Sequence, residues 1–467
     1  MIDDNNIQGV YFIGIGGIGM SALALYCIKK GFIVAGYDRS QSNITKTLEK
    51  AGCEIIYNDN EFDIPELFRD NKYSEKVLII ITPAISEGNR ILTYFKSEGY
   101  TVRKRSEVLG DISALTDTIA VAGTHGKTTV STMTAHLLKQ SDIDCSAFLG
   151  GISKNYNTNY ITGHSRYTVI EADEYDRSFL QLFPLIAVVT AVDADHLDIY
   201  GDHDTMIDAY NEFLDKIPKG GTLICNYNIR QRIIRPAGVR FFTYGDNEKA
   251  DYRYFNIEKK ENIYHFNIRT PDSELRNIRY SFPGIVNIEN LTAATAVALQ
   301  CGAGEDEIKE AISSFLGVRR RFDIRINIPG LAYVDDYAHH PEEIRACISS
   351  LREYFRGRRI TAIFQPHLFS RTRDHAEGFA KILDELDEVI LLPVYPAREE
   401  PLPGVSSEMI FKKMKLANKR LISLEEIPAA IDVDELDVLV TIGAGDIDKT
   451  VEPIETKIIR EVGKWRG

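Results

Sequence analysis

The sequence predicts an α/β protein of three domains, and three observations support this. At 467 residues the chain is longer than one ordinary domain. Short apolar runs are repeatedly followed by a polar or glycine-rich loop and then by a helical stretch. Two of these loops, beginning at Gly14 and Gly123, are glycine turns of the kind that bind phosphate. Such units are typical of parallel sheets, which bind ligands at the carboxyl ends of their strands.

The composition indicates which kinds of binding partner and which cellular compartment to expect. With 44% hydrophobic and 26% charged residues the chain resembles an ordinary globular protein, and its net charge of −13 without a basic block argues against nucleic acid. Six cysteines without a CxxC pair predict free thiols in a reducing compartment. The N-terminus is acidic and polar, and no apolar window reaches the roughly 18 residues of a membrane span. We therefore expect a cytoplasmic protein without a membrane partner.

The first segment predicts a Rossmann-like N-terminal domain. An apolar strand runs into Gly14, Gly16 and Gly19 in GxGxxG spacing, a helix follows, and a second strand ends at Asp38. Glycines let the backbone approach a diphosphate, and an acidic residue about 20 positions on commonly binds ribose hydroxyls. The motif alone leaves NAD(P), FAD and a UDP-sugar open. A later strand, VLIIITPAI, ends near Thr82, where a loop could line the same crevice or simply close the strand.

The second segment contains AVAGTHGKTTV at 120–130, a strand, a glycine turn and a helix start. Backbone N–H groups converge there, and Lys127 adds a positive charge. Thr128 and Thr129 supply hydroxyls suited to a Mg²⁺ ion on nucleotide phosphates. A strict P-loop has a glycine where this chain has Val121, so GTHGKT is a shortened phosphate cradle. We predict a central P-loop-type ATPase α/β domain.

Two further strands of this segment end in acidic loops. The carboxyl ends of neighbouring parallel strands meet at one edge of a sheet, and Mg²⁺ prefers oxygen ligands. The sequence therefore predicts a magnesium site near the cradle, drawn from Glu171, Asp173, Glu174 and Asp176 after one strand and Asp193, Asp195, His196 and Asp198 after the next.

Two later patterns suit a nucleotide. Asn287 and Asn290 lie one turn apart on an alanine-rich predicted helix, where they could contact a nucleobase edge or cap the helix. The run GVRRRFD at 317–323 places three arginines before a new strand. Arginines there suit phosphoryl oxygens, although a solvated basic turn is the alternative.

The third segment predicts a C-terminal Rossmann-like α/β domain, because strands and helices alternate again. Polar residues gather at its strand exits, namely Asp335, Asp336, His339, His340, His367, Arg371 and Arg373. Metal binding by the histidines and aspartates is one interpretation. A substrate carboxylate held by the Arg371 guanidinium is the other.

Together these motifs resemble the Mur ligases, and within them the UDP-N-acetylmuramate:L-alanine ligases. The resemblance covers essentially the whole chain, through GIGGIGMSALA, GTHGKTT, EADEYDRSF, DADHLD, VNIEN, RRFD, DDYAHHP, FQPH and SRTRD. It implies a UDP-sugar-binding domain over 1–109, a central ATP-binding domain over 110–321, and an amino-acid-binding domain over 322–467 that closes over the reactants. The implied cofactors are ATP and Mg²⁺.

The resemblance also implies roles for individual residues. The UDP-sugar would contact Gly14, Gly16, Gly17, Gly19, Asp38, Thr82 and Ala84. ATP would contact Gly123, Thr124, His125, Gly126, Lys127, Thr128, Thr129, Asn287, Asn290, Arg321 and Asp336. The metal ligands would be Thr128, Glu171 and His196. Alanine or the acyl phosphate would meet His339, His367 and Arg371, and the implied catalytic set is Lys127, Glu171, His196, Arg321, His339 and Arg371.

The implied activity is an ATP-dependent ligation in peptidoglycan precursor synthesis. It would add L-alanine to the lactyl carboxylate of UDP-N-acetylmuramate through an acyl phosphate, in a monomer or homodimer. A ligase that joins a preformed peptide to the same UDP-sugar is the alternative. The chain departs from many relatives at three positions, where Ala191, Val286 and Leu368 replace Asn, His and Arg.

Overall fold

The computed structural model describes residues 6–194, 197–397 and 399–465. Within these residues the strands form three sheets. The chain divides into two compact units. The first unit contains the described residues up to Ser281 together with Ile288–Leu316, and the second contains Phe282–Asn287 and the described residues from Gly317 onward. The predicted α/β class with three sheet-based domains is confirmed.

The first sheet has the strand order β3-β2-β1-β4-β5, and all its pairs are parallel. Because β2 and β3 lie on one side of β1 and β4 and β5 on the other, the sheet has a topological switch point beside β1, where such sheets bind ligands. Its elements are β1 (Gly9–Ile13), α1 (Ile18–Lys29), β2 (Ile33–Tyr37), α2 (Asn43–Lys50), β3 (Glu54–Ile56), α3 (Glu66–Arg69), β4 (Val77–Ile81), α4 (Arg90–Ser97), β5 (Thr101–Lys104) and α5 (Arg105–Ala114).

The second sheet is larger, with the order β15-β14-β13-β12-β11-β10-β6-β9-β7-β8. Its strands are β6 (Asp117–Ala122), β7 (Ser146–Ser153), β8 (Thr158–Ile161), β9 (Tyr167–Glu171), β10 (Ile186–Val189), β11 (Thr222–Asn226), β12 (Arg240–Gly245), β13 (Tyr252–Lys260), β14 (Ile263–Arg269) and β15 (Glu274–Tyr280). Its helices are α6 (Lys127–Gln140), α7 (Leu197–Tyr200), α8 (His203–Leu214), α9 (Ile285–Gln300) and α10 (Glu305–Ser314). The pairs β7/β8, β13/β14 and β14/β15 are antiparallel, and the others are parallel.

The third sheet has the order β16-β17-β21-β18-β19-β20, with an antiparallel edge pair β16/β17 and parallel pairs elsewhere. Its elements are β16 (Asp323–Ile328), β17 (Leu331–Asp336), α11 (Pro341–Tyr354), β18 (Ile360–Phe364), α12 (Phe369–Leu383), β19 (Glu388–Leu391), α13 (Ser407–Lys413), β20 (Lys419–Leu421), α14 (Ile427–Ala430), β21 (Val438–Ile442) and α15 (Asp448–Trp465). Apolar strands buried on both faces explain the near-continuous hydrophobic runs in the sequence.

Within the first unit, a single hydrophobic core reaches from the first sheet into the second. Tyr26 of α1 packs against Phe148 of β7 and Tyr160 of β8, with ring centroids 5.5 Å and 5.7 Å apart. The Asn159 side-chain amide donates to the Ile18 carbonyl at 2.6 Å. These contacts hold the amino-terminal turn of α1 against the central sheet.

The cysteines and the helices bear on the environment that the sequence predicts. All six cysteines are free thiols, as predicted, and all except the half-buried Cys301 are buried. Across the described ranges, no helix has both the length and the apolar character needed to cross a membrane.

Candidate active site

The first glycine turn joins β1 to α1 beside the switch point of the first sheet. Gly14 has a φ of +86°, and a Cβ at this position would lie 2.7 Å from the Thr82 side chain just after β4. The Gly16 N–H donates to Asp38 Oδ2 at 2.8 Å. Gly17 caps the N-terminus of α1, Gly19 lies in its first turn, and Ala84 is exposed in the loop after β4. The predicted UDP-sugar residues therefore gather at one edge of the sheet.

The phosphate cradle joins β6 to α6, and its two glycines are sterically required. Gly123 has a φ of +134°, and a Cβ there would lie 2.1 Å from Thr190 Oγ1. Gly126 has a φ of +81° and caps α6. Thr190 Oγ1 donates to the carbonyls of Ala122, at 3.2 Å, and His125. The residue that follows the neighbouring strand β10 therefore supports the turn.

Lys127 begins α6 and points into the cradle. Its Nζ donates to the Gly123 carbonyl at 2.8 Å and lies 2.9 Å and 2.8 Å from the two carboxylate oxygens of Glu174. Burial by itself would lower the pKa of Lys127, but the negative charges of Glu174, Asp173 and Glu171 outweigh it and raise the pKa. Lys127 is therefore held as a cation at the floor of the turn.

Thr128 and Glu171, two of the predicted metal ligands, contact each other beside the cradle. Thr128 Oγ1 donates to Glu171 Oε1 at 3.0 Å, and the Gly150 N–H donates to Glu171 Oε2 at 3.0 Å. Glu171 ends β9, Thr128 lies in the first turn of α6, and Gly150 lies in β7. A hydroxyl and a carboxylate are ligands that Mg²⁺ accepts.

The other acidic residues predicted near the metal make different contacts. Asp173 accepts from the Tyr175 N–H at 3.1 Å, and Asp176 lies 3.7 Å from Lys104 Nζ. The Asp193 side chain is exposed and lies 3.9 Å from His125 Nε2. The described part of the chain contains no group of three or more His, Cys, Asp or Glu that could hold a metal.

Asp195, His196 and Asp198 are also predicted metal residues. Asp195 and His196 fall outside the described residues, and the side chain of Asp198 is not described either. The assignment of His196 as a metal ligand therefore stays a prediction. Thr129, the second hydroxyl of the cradle, is half-buried in the first turn of α6.

The two asparagines of α9 are both buried. Asn290 Oδ1 would lie 3.0 Å from a Cβ at Gly126, so it borders the cradle. Asn287 donates through its side-chain amide to the Pro283 carbonyl at 2.6 Å, a local contact at the start of the helix. Between them, Glu289 accepts from the Asn226 amide at 2.9 Å, and burial raises the pKa of Glu289.

In the second unit, Asp336 ends β17 as a buried carboxylate. Its oxygens accept from the N–H groups of Phe322, at 2.7 Å, and Ala338, at 2.8 Å. Burial raises the pKa of Asp336 to about 6, against the opposing effects of Arg321 and the two N–H donors. Arg321 also lies 3.8 Å from Glu343. The predicted ATP residues Arg321 and Asp336 are therefore neighbours.

Arg320, the preceding arginine, has a structural partner. Its guanidinium donates to Asp335 Oδ2 at 3.1 Å and to the Gly443 carbonyl at 2.6 Å. Asp335 is almost fully buried, so the ion pair holds Arg320 against β17, and the hydrogen bond to Gly443 holds it at the end of β21.

The predicted amino-acid residues lie at the exits of β17 and β18. The ring centroids of His339 and His367 are 5.7 Å apart, and His367 stacks on Tyr395 at 5.8 Å. His339 Nδ1 donates to the Tyr337 carbonyl at 3.0 Å. Burial lowers the pKa of His339, Glu343 opposes this shift, and the positive charge of Arg371 adds to it.

Other residues predicted in this segment lie apart from that pair. His340 caps α11 and packs against His375, with ring centroids 4.9 Å apart. Arg373 is exposed and pairs with Asp374. Leu368 caps α12 with a φ of +69°, an uncommon backbone conformation for leucine.

Family models match the chain in three consecutive stretches. The Mur ligase family catalytic domain matches residues 9–116, the Mur ligase middle domain matches 121–298, and the Mur ligase, glutamate ligase domain matches 320–445. A UDP-N-acetylmuramate–L-alanine ligase from Parabacteroides distasonis is 44% identical over 99% of this chain and 100% of its own length. The chain belongs to the Mur ligase family. A ligase of the same name from Cytophaga hutchinsonii is 43% identical over 99% of each chain.

Solved structures of Mur ligases share the fold. A UDP-N-acetylmuramate–alanine ligase from Thermotoga maritima superposes with a TM-score of 0.82 at 26% identity, covering 98% of this chain and 99% of that one. A murein peptide ligase from Psychrobacter arcticus gives a TM-score of 0.73 at 22% identity over 97% of this chain and 98% of that one. At that identity the second likeness concerns the fold alone.

Several contacts around the two glycine turns are not predicted by the sequence. Glu174 was grouped with possible metal ligands, but it contacts Lys127. Gly150 was not singled out, although its N–H binds Glu171. The Arg105 guanidinium would lie 2.7 Å from a Cβ at Gly19, so it covers the first turn of α1. No local pattern predicts these three contacts, because each joins residues well separated along the chain.

Proposed function

We propose that this chain is an ATP-dependent ligase that adds L-alanine to the lactyl carboxylate of UDP-N-acetylmuramate. The observation that carries the proposal is the cradle on β6 and α6, with Lys127 paired to the buried Glu174 at its base and the Thr128–Glu171 oxygen pair beside it. A carboxylate must be activated before an amine can displace an oxygen from it. A site that binds the phosphates of ATP next to a carboxylate substrate provides that activation.

The proposed reaction has two steps. A lactyl carboxylate oxygen attacks the γ-phosphorus of ATP, the bond to the bridging oxygen breaks, and ADP leaves with that electron pair. The alanine amine then attacks the acyl carbon, inorganic phosphate leaves, and the amine loses a proton to give the amide. Negative charge accumulates on the transferring group in the first step and on the leaving phosphate in the second.

The chain's own residues would act mainly by electrostatics and alignment. Lys127 and the N–H groups of the cradle would bind the terminal phosphates, and Arg321 would bind a phosphate oxygen. Asn287 and Asn290 would contact adenine. Thr128 and Glu171, with His196, would hold Mg²⁺, which supplies charge neutralisation to the phosphates when bound.

The remaining predicted residues are assigned by substrate. The glycine turn after β1, with Asp38, Thr82 and Ala84, would bind the UDP-sugar, since it lies at the switch point of the first sheet. His339, His367 and Arg371 would receive alanine, and Asp336 would reach ATP. We also propose that the boundaries between the three domains lie at 109/110 and 321/322. ATP as substrate and buried free thiols favour the cytoplasm.

One experiment tests the function. Phosphate release from ATP is measured with UDP-N-acetylmuramate and a panel of L-alanine, glycine, L-serine and a short peptide, with and without Mg²⁺. We expect release to require the UDP-sugar and to be fastest with L-alanine. Hydroxylamine should trap the activated sugar as a hydroxamate when alanine is omitted. ATP turnover that is equal without the UDP-sugar would refute a ligase, and a preference for the peptide would favour the alternative acceptor. Light scattering of the same sample would distinguish monomer from homodimer.

A further inference from the structure

We propose that Glu174 is a positioning residue that fixes the Lys127 ammonium over the phosphate cradle. The proposal rests on the proposed function, because it concerns the ATP site of that reaction. Glu171 accepts from Thr128 and Gly150, whereas Glu174 accepts from Lys127. It is therefore distinct in role from Glu171, three residues earlier.

The first argument is burial. The Glu174 side chain is fully buried, and that of Lys127 is 14% exposed. A buried carboxylate is costly unless it is paired, so a fold keeps one only where its partner and geometry compensate. Both Glu174 oxygens lie within 2.9 Å of Lys127 Nζ. The ammonium is thus aligned by two oxygens from one side.

The second argument is the number of donors. A lysine ammonium has three N–H groups on a flexible four-carbon stem. One is directed to the Gly123 carbonyl at 2.8 Å and another to Glu174. Because these two contacts fix the direction of the group, the third N–H can be aimed at a phosphate oxygen. Without Glu174 the ammonium would be free to take other orientations.

The third argument is that Glu174 is itself anchored. The Tyr200 hydroxyl donates to the Glu174 carbonyl at 2.6 Å, and the Arg177 N–H donates to the same carbonyl at 3.0 Å. The next loop residues, Asp176 and Arg177, have positive φ values of 54° and 53°. The backbone that carries Glu174 is therefore held in one conformation before its side chain reaches Lys127.

The test is a double-mutant cycle between Glu174→Gln and Lys127→Ala. Lys127→Ala should reduce kcat by about 10² to 10³. Glu174→Gln should reduce kcat by about 10-fold or more, since misalignment of one charged group is costly. In the Lys127→Ala background, however, Glu174→Gln should change kcat by less than about threefold, because the residue through which it acts is already gone. Glu258→Gln, the same substitution in an exposed carboxylate of β13 that pairs with Lys260, is the matched control and should retain parental activity.

The same cycle is repeated on the equilibrium affinity for a non-hydrolysable ATP analogue. This readout needs no UDP-sugar and no alanine, so it tests Glu174 even if the proposed ligase activity fails. Glu174→Asp keeps the charge and should recover part of the loss in both measurements. If thermal melting shows that Glu174→Gln is unstable, Glu174→Asp takes its place in the cycle. Equal losses for Glu174→Gln with and without Lys127, or a parental kcat and affinity in Glu174→Gln and Glu174→Asp, would overturn the proposal.

Discussion

Gly150→Ala provides a sharp test of the proposed metal site, because it adds one methyl group next to Glu171. Gly150 lies in β7, and its φ is outside the left-handed region, so alanine fits the backbone without strain. The added Cβ would lie 2.4 Å from both carboxylate oxygens of Glu171. The substitution therefore acts on the carboxylate and leaves the strand conformation intact.

The magnitude follows from that distance. Ordinary contact with a Cβ begins at 3.4 Å, so the carboxylate must retreat by about 1 Å. Glu171 cannot do this and keep both its Thr128 and its Gly150 hydrogen bond, since each is 3.0 Å long. A misplacement of about 1 Å in a group that positions reactants costs on the order of 10²-fold in rate. We expect kcat to fall by about that factor and the Mg²⁺ concentration for half-maximal rate to rise.

The assay is phosphate release at increasing Mg²⁺, with all substrates saturating. Gly463→Ala is the control, because Gly463 is exposed on α15 and no described atom lies within 4 Å of its Cβ position. Glu171→Asp, which shortens the side chain, should make Gly150→Ala less damaging than it is in the parent. A folded Gly150→Ala enzyme with parental kcat and Mg²⁺ dependence would refute the assignment of Glu171 to the metal.

Two further predictions concern the second unit. Arg371→Ala should raise the alanine KM strongly and leave ATP affinity unchanged, because the lost contact belongs to the amino acid alone. The control is Arg373→Ala, which removes an exposed arginine two residues later. A parental alanine KM in Arg371→Ala would contradict the assignment. For Asp336, the folded-state pKa of about 6 exceeds its usual 3.8, so the native state binds more protons across that window. The free energy of unfolding should therefore fall by about 2 kcal/mol as pH rises from 4 to 7, and Asp336→Asn should remove this component in urea titrations. Identical pH dependence in parent and variant would contradict it.

The strand exits were predictable from the sequence because local patterns encode them. An apolar run followed by a glycine or acidic loop specifies where a parallel strand ends, and the structure ends β6 and β9 at Ala122 and Glu171. The antiparallel extension from β13 to β15 was not predicted as part of the central sheet. Its polar–apolar alternation is compatible with a separate hairpin, and the pairing of β12 with β13 joins it to the central sheet.

The sequence predicts which acidic residues lie near the cradle, but it does not predict which residue each of them contacts. Four acidic residues lie within six positions, beginning with Glu171 at the end of β9, and nothing in their order shows that Glu171 contacts Thr128 while Glu174 contacts Lys127. Glu171 is the last residue of β9, whereas Glu174 caps the 3-10 helix of residues 175–181, so the backbone delivers the two side chains to different partners. A carboxylate's role therefore depended on a turn that composition does not reveal.

The shortened cradle illustrates how tertiary contacts replace a missing motif residue. Val121 stands where a strict P-loop has glycine, and it is a fully buried residue within β6. The strand therefore continues further, and the turn comprises only residues 123–126. A turn this short needs support from outside, which Thr190 of the segment after β10 provides through the Ala122 and His125 carbonyls. Since a Cβ at Gly123 would overlap Thr190, the glycine and the threonine form one steric unit, and the sequence motif of this cradle extends to a residue 67 positions beyond Gly123.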